Sequence, residues 1–173
     1  MNNNLIIVGA GAYGVLVSEI AEKTGLYNKI AFVDDAKRVA FNGAGVLGTT
    51  SQLTELSSDY GNIIVAIGNA KVRLSLLESI EKNTPFNIVS LISADAYVST
   101  SATIGKGSVV EPMAVVHTGC VISKGCFISA GAVVNHYSTC GSCVHVDCNA
   151  TVEGYVHVPD RTLIRCGDVF TGK

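Results

Sequence analysis

From residue 96 to the end of the chain every sixth residue is apolar. The series Val98, Ile104, Val110, Val116, Ile122, Ile128, Val134, Cys140, Val146, Val152, Val158, Ile164 and Phe170 runs without a slip of phase. Two places earlier in each hexad stands a mostly small residue, as in Ala96, Ala102, Ser108, Ala114, Cys120, Cys126, Ala132, Ser138 and Ala150. An amphipathic helix repeats every three to four residues and a half-buried strand every two, so neither accounts for a period of six. A chain that turns a corner after each hexad does. Three hexads then close a triangular coil, with the apolar residue pointing inward and the small one placed where the corner is tight. Such a coil buries its apolar residues only by stacking on the next one, and the series is long enough for roughly four coils.

The first half follows another pattern. Leu5-Ile6-Ile7-Val8 reads as a strand ending in the turn Gly9-Ala10-Gly11-Ala12-Tyr13-Gly14, and Val15 to Lys23 carries a helical stripe that stops at Gly25. Ile30 to Val33 is a second strand, ending in Asp34-Asp35, and Asn62 to Ile67 a third. After Gly68, Asn69 is placed to cap a helix reaching about Lys82, with Leu76, Leu77 and Ile80 facing inward. Phe86 to Leu91 reads as one more strand. Strand-helix-strand order over this length implies a small parallel, Rossmann-like sheet. The expected architecture is therefore an α/β N-terminal domain over 1–92, followed by an all-β parallel β-helix over 93–173.

Composition narrows the function. A formal charge of -2 and the lack of any Lys/Arg block argue against nucleic acid as a partner. The beginning of the chain has no basic and apolar leader, and no run of 18 apolar residues spans a bilayer, so a cytoplasmic protein without a membrane partner is expected. All six cysteines lie in the second half. Cys140-Gly-Ser-Cys143 has the spacing of half a zinc site, with His145 and Cys148 nearby, but the hexad already uses several cysteines as small buried hydrophobes. No metal is expected.

Five segments together resemble the bacterial hexapeptide-repeat sugar acetyltransferases of the bacillosamine, perosamine and sialic-acid pathways. They are Gly9 to Gly14, Phe32-Val33-Asp34-Asp35, Val46-Leu47-Gly48, Ala66-Ile67-Gly68-Asn69 with Arg73, and Val133-Val134-Asn135-His136 followed by Val144-His145-Val146. The resemblance implies that the β-helix is left-handed, that acetyl-CoA is the co-substrate, and that the assembly is a homotrimer with active sites between subunits. It also implies a nucleotide-linked aminosugar as acceptor, held by Gly11, Ala12, Tyr13, Asp34, Asp35 and Gly68. His136 matches the family's general base, for which an imidazole titrating near neutrality is suited. His145 matches a residue that contacts acetyl-CoA, and Gly154 one whose backbone amide faces the thioester.

This chain departs from the pattern in several places. Tyr13 stands where the family commonly has His, and Asn135 and Tyr137 flank His136 where carboxylates are usual. An 18-residue coil stacks 117, 135 and 153 in one column and 118, 136 and 154 in the next. Glu153 is thereby the expected substitute carboxylate for His136. Similar enzymes run on for one or two further coils, so the CoA groove is expected to be shortened, rebuilt or lost. The leading expectation is an N-acetyltransferase working by direct transfer. The alternatives are a sugar O-acetyltransferase, a non-catalytic trimeric sugar-nucleotide-binding protein, and a nicotinamide-dependent protein using the glycine turn for a dinucleotide.

Overall fold

A computed structural model describes residues 3–172, and the chain divides into two compact units, one ending at Val89 and the other starting at Ser90. The first holds strands β1 (Leu5–Val8), β2 (Ile30–Val33), β3 (Val46–Gly48), β4 (Asn62–Val65) and β5 (Asn87–Ile88) in one parallel sheet, ordered β3-β2-β1-β4-β5. Its helices are α1 (Ala12–Thr24), the short α2 (Leu53–Leu56) after a 3-10 turn at Thr50–Gln52, and α3 (Ala70–Asn83). Leu5, Ile6, Ile7, Ile63, Ile64 and Val65 are wholly buried, which is why β1 and β4 read as unbroken apolar runs rather than as alternating ones. The order reverses between β1 and β4. In an open parallel sheet, that reversal leaves a crevice at the strands' carboxyl ends.

Local chemistry sets the helix limits. Gly25 takes a left-handed φ of 65° and its N–H closes α1 onto Glu22, while the Asn69 side chain accepts from the amides of Lys71 and Val72 to open α3. α1 starts at Ala12, three residues before the expected start, because the glycine turn passes straight into the helix. On α3 the buried positions are Arg73, Leu77 and Ile80, so the arginine takes an inward place expected for Leu76, which is half-buried.

The second unit is a parallel β-helix of two-residue strands: β6 (Leu91–Ile92), β7 (Tyr97–Val98), β8 (Thr103–Ile104), β9 (Val109–Val110), β10 (Val115–Val116), β11 (Val121–Ile122), β12 (Phe127–Ile128), β13 (Val133–Val134), β14 (Thr139–Cys140), β15 (His145–Val146), β16 (Thr151–Val152), β17 (His157–Val158), β18 (Leu163–Ile164) and β19 (Val169–Phe170). They form three sheets, β19-β16-β13-β10-β7, β17-β14-β11-β8 and β18-β15-β12-β9-β6, one for each side of the triangle. Pairs such as Val115 with Val133 and Val121 with Thr139 confirm the 18-residue coil. The strand expected over 86–91 is in fact two: β5 closes the first sheet, whereas Leu91–Ile92 pairs with Val109–Val110 in the β-helix. The division thus falls three residues before the 92/93 boundary expected from the sequence.

The inward series from Val110 to Ile164 is at most 4% exposed and forms one continuous core with the small corner residues. Those corner residues also explain why Ser and Cys recur among the alanines. Ser108, Cys120, Cys126 and Ser138 each donate to a carbonyl 15 residues on, at Ser123, Asn135, Gly141 and Glu153, tying one coil to the next. All six cysteines are free thiols, and Cys120, Cys126, Cys140 and Cys143 are buried.

Every sixth residue from Gly107 to Gly167 has a positive φ, and six of these corners, Met113, Tyr137, Cys143, Asn149, Tyr155 and Arg161, are not glycine. Left-handed backbone costs an L-residue about 1–2 kcal/mol, whereas one buried Val or Ile returns about 1.5–3 kcal/mol. The inward residue of each hexad therefore outweighs the corner.

Candidate functional site

In the first unit the expected binding residues gather at the carboxyl ends of β1, β2 and β4. Gly9 has a φ of 113°, and a Cβ there would lie 2.8 Å from the Ala66 carbonyl oxygen, so the ends of β1 and β4 approach as closely as backbone allows. A Cβ on Gly14 would strike the Gly9 carbonyl oxygen, which is what seats α1 against the turn. Gly11 and Gly68 differ from these, because a Cβ on either would meet nothing within 4 Å. The fold's own packing does not require glycine there, and both leave room for a ligand beside the N-terminus of α1, where the helix dipole favours an anion. Ala12 is exposed and Tyr13 half-buried at the same place. The Gly68 turn is braced from within: the fully buried Arg73 donates from Nη1 to the carbonyls of Ile67 (2.6 Å) and Gly68 (2.9 Å).

The two aspartates serve the protein first. Asp34 Oδ2 accepts from Ala10 N at 2.8 Å, and its Oδ1 accepts from the amides of Ala36 and Lys37, both at 2.8 Å. Asp35 accepts from the amide and hydroxyl of Thr50, opening the 3-10 turn. Partial burial opposes ionisation of Asp34, but the amides of Ala10, Lys37 and Ala36 with the Lys37 charge outweigh it and hold the carboxyl below its ordinary 3.8. A carboxyl with a lowered folded pKa stabilises the protein above its unfolded pKa, and that contribution is lost as pH falls through the folded value. Asp34→Asn, which puts an amide NH₂ in place of one accepting oxygen, is expected to cost about 1–2 kcal/mol at neutral pH. Thermal unfolding as a function of pH should show the difference from the parent closing as pH drops below 3.8; a constant difference down to acid pH would contradict this role.

In the second unit His136 follows β13 at a corner, with its ring exposed. A Cβ on Gly154 would stand 3.0 Å from His136 Nε2 and 3.1 Å from Cε1, so glycine one coil on makes the seat for the imidazole. The stacking of 136 on 154 agrees with the 18-residue column. Glu153 does not play the expected part: its carboxylate is exposed and forms neither hydrogen bond nor ion pair with His136. In its column it stands over Asn135, and the strand alternation that turns Val152 inward sends Glu153 out to solvent. The groups facing the His136 ring are instead Tyr155, with centroids 5.0 Å apart and planes at 87°, and Tyr137, at 6.1 Å and 90°.

His145 lies on β15, in a different sheet from β13, so the chain does not bring the two histidines to one face. Its Nε2 is 3.0 Å from Ser129 Oγ, and Ser129 donates to Oε1 of the buried Glu111. The serine's one proton is committed to Glu111, so Ser129 accepts from His145, and Nε2 carries the hydrogen. Ala130 N donates to Glu111 Oε2, Phe127 packs edge-on against the imidazole, and Asp147 Oδ1 lies 3.9 Å from Nε2. Glu111, Ser129 and Asp147 escaped the sequence reading. Their spacing of 18 was the available signal, since it places them in one column beside His145.

Among the described residues one group has metal-ligand spacing: Asp147, Cys148 and Cys166, with one donor atom each within 4.8 Å. It is not the Cys140/Cys143 pair weighed from the sequence, whose members are buried in the β-helix.

Residues 4–80 match the family model described as the PglD N-terminal domain. Over nearly its whole length the chain is similar to the acetyltransferase domain of PglB from Neisseria gonorrhoeae, solved in complex with acetyl coenzyme A, with a TM-score of 0.87, 32% identity, and coverage of 99% of this chain and 92% of that one. PerB from Caulobacter crescentus, solved with CoA and GDP-perosamine, shares the fold with a TM-score of 0.81 at 23% identity, covering 97% and 88% of the two chains. WeeI from Acinetobacter baumannii does so with a TM-score of 0.65 at 18% identity, covering 97% and 91%. No curated protein matches the sequence significantly.

Proposed function

The chain belongs to the bacterial sugar acetyltransferase family, and on that premise we propose that it moves the acetyl group of acetyl-CoA to the amine of a nucleotide-linked sugar, with His136 as general base. The observation that carries this reading is the likeness to an acetyl-CoA-bound acetyltransferase across 99% of the chain at 32% identity. The open exposure of the His136 ring over Gly154 supports the choice of base.

In this reading, the amine nitrogen attacks the thioester carbonyl carbon while His136 accepts its proton. The C–S bond then breaks, and the proton passes to the departing CoA thiolate, leaving an amide and free thiol. No bond to the enzyme forms. The Gly154 amide assists at the thioester oxygen, where charge builds up in the transition state. His145, oriented by the bond from its Nε2–H to Ser129, contacts acetyl-CoA with the remainder of its ring. The first unit is the nucleotide-sugar-binding domain. Gly11 and Gly68 leave the diphosphate room beside the α1 N-terminus, with Ala12 and Tyr13 alongside. Asp34 and Asp35 shape the pocket by holding the glycine turn and the Thr50 turn in place.

The active unit is a homotrimer working in the cytoplasm, and one outer face of the β-helix supports the assembly. Tyr97, Val115, Val133, Thr151 and Val169 line up outward along β7, β10, β13, β16 and β19, with Tyr97 and Val169 more than half exposed. The corresponding row on β8, β11, β14 and β17 is Thr103, Val121, Thr139 and His157, and is mostly polar.

Release of CoA thiol from acetyl-CoA, measured with a panel of UDP-, GDP- and dTDP-linked aminosugars, tests the reading. At least one is expected to turn over, in a particle three times the 18.0 kDa chain mass by light scattering. Retained sugar-nucleotide binding with no thiol release from any of them would replace the enzyme with a binding protein. Turnover of hydroxy-sugars alone would move the reaction to oxygen.

A further inference from the structure

Tyr137 and Tyr155 occupy the same corner of successive coils, 18 residues apart. Both have left-handed backbone, with φ of 55° and 62°; the corners at 119, 125 and 131 are glycine, and those at 143, 149 and 161 carry Cys, Asn and Arg, so these two are the aromatic ones. Their side chains are turned outward, 54% and 72% exposed, and stack on each other with centroids 5.4 Å apart and planes at 19°. Gly119, one coil earlier in the same column, extends the arrangement: a Cβ there would lie 2.5 Å from Tyr137 Cδ1, so the ring lies flat over its backbone. The hexad core needs neither ring. A large aromatic in a disfavoured conformation, held in water by another like it, is better explained by what it offers to a ligand.

The position of His136 says which ligand. Its ring meets Tyr155 and Tyr137 nearly at right angles, at 5.0 and 6.1 Å. A general base must come within about 2.6–3.2 Å of the atom whose proton it takes. The ring bearing that nitrogen then falls on the adjacent tyrosines. The nucleobase is held away by the diphosphate, and the pantetheine arm of CoA has no flat face to present. We propose that Tyr155, backed by Tyr137, which lies between it and Gly119, offers its outer face as a stacking platform for the acceptor's sugar ring, taking its C–H face and setting which aminosugar is accepted. This rests on the acetyl-transfer reading for the identity of the ligand. It gives the two tyrosines a task at the place where a carboxylate was expected. Tyrosine suits such a role, because it offers a broad amphipathic face with few rotatable bonds.

The backbone supplies a clean variant. Glycine is at ease at a left-handed corner, so Tyr137→Gly/Tyr155→Gly removes the platform while relieving the conformation, and its unfolding temperature should not fall below the parent's. Saturation-transfer NMR on the intact full-length protein with GDP-perosamine and with UDP- and dTDP-linked aminosugars, each separately, is expected to show the strongest saturation on sugar-ring protons for at least one of them. In the double variant that saturation should fade. The acceptor KM should then rise about tenfold or more, with the acetyl-CoA KM unchanged. Tyr137→Phe/Tyr155→Phe should behave like the parent. The proposal is overturned if no probe gives sugar-ring saturation on the parent, if saturation is confined to the base, or if the double glycine variant is indistinguishable from the parent. A rise in acetyl-CoA KM instead, or dissociation of the oligomer, would also reassign the tyrosines. Sugar-ring saturation without any turnover would sink the acetyltransferase reading and leave the platform standing.

Discussion

His136→Ala is expected to lower kcat by about 10²–10⁴-fold, the usual worth of a positioned general base, and to leave the fold almost untouched. The two halves of that expectation have separate grounds. The imidazole is exposed and its closest neighbour is the empty side of Gly154, so truncating it opens no cavity in the core; surface changes of this kind stay within about 0.5 kcal/mol. The loss of rate follows from the proton that an amine must shed as it becomes an amide. His145 is a poor replacement, because its Nε2 hydrogen is already directed at Ser129. Thiol-release kinetics with calorimetry decide the matter: a fall in kcat at constant unfolding temperature and constant acetyl-CoA KM is the expected outcome. An alanine variant that keeps its rate would remove His136 from the role, whatever the status of the rest of the site.

How far the sequence could be read depended on whether the determining interaction was local. The hexad ladder is local and repeated, so one period implied strands, core and coil together, and the register of Val115 on Val133 follows from it. β1, β2 and the capped start of α3 were legible for similar reasons: apolar runs, a glycine turn and Asn69. β3 and the Thr50–Leu56 turns were not, because they are short and are held by Asp35 bonding to Thr50 across 15 residues. The residues 86–91 misled for a different reason. Phe86 and Leu91 are both buried, but β5 and β6 lie in different sheets, and burial alone does not say which core receives a side chain.

The site divided in the same way. Gly154 beneath His136 followed from the column rule, whereas the outward turn of Glu153 did not, since column membership fixes height along the coil and not side-chain direction. The same rule, applied to every column, would have brought Tyr155 beside Tyr137 and Ser129 beside Glu111. What it could not have supplied is the edge-on placing of the two tyrosine rings beside His136, which depends on the left-handed corners at 137 and 155. Chemistry therefore was readable where identity alone mattered, as with an imidazole or a glycine. It was hidden where orientation decided the role.

Arg73→Met is expected to destabilise the first unit by about 2–4 kcal/mol and to weaken nucleotide-sugar binding without changing the acetyl-CoA KM. Methionine fills most of the volume of the arginine stem, so the cavity contribution is small and hydrogen bonding decides the effect. The guanidinium donates to the carbonyls of Ile67 and Gly68, at the point where β4 turns into α3. Each carbonyl loses a hydrogen bond from a charged donor, worth about 1.5–3 kcal/mol. Against that stands the price of burying a cation, which the methionine variant no longer bears, and for some buried ion pairs that relief equals the loss. Here it falls short, because the guanidinium lies on the fully buried side of the turn, where methionine brings no donor to either carbonyl. The turn carrying Gly68 loosens first, and with it the space beside the α1 N-terminus. Calorimetry should resolve an earlier transition for the first unit, and titration with the accepted nucleotide sugar should show weaker affinity. An unchanged transition, or a binding loss that extends equally to acetyl-CoA, would show that Arg73 is not what holds this turn.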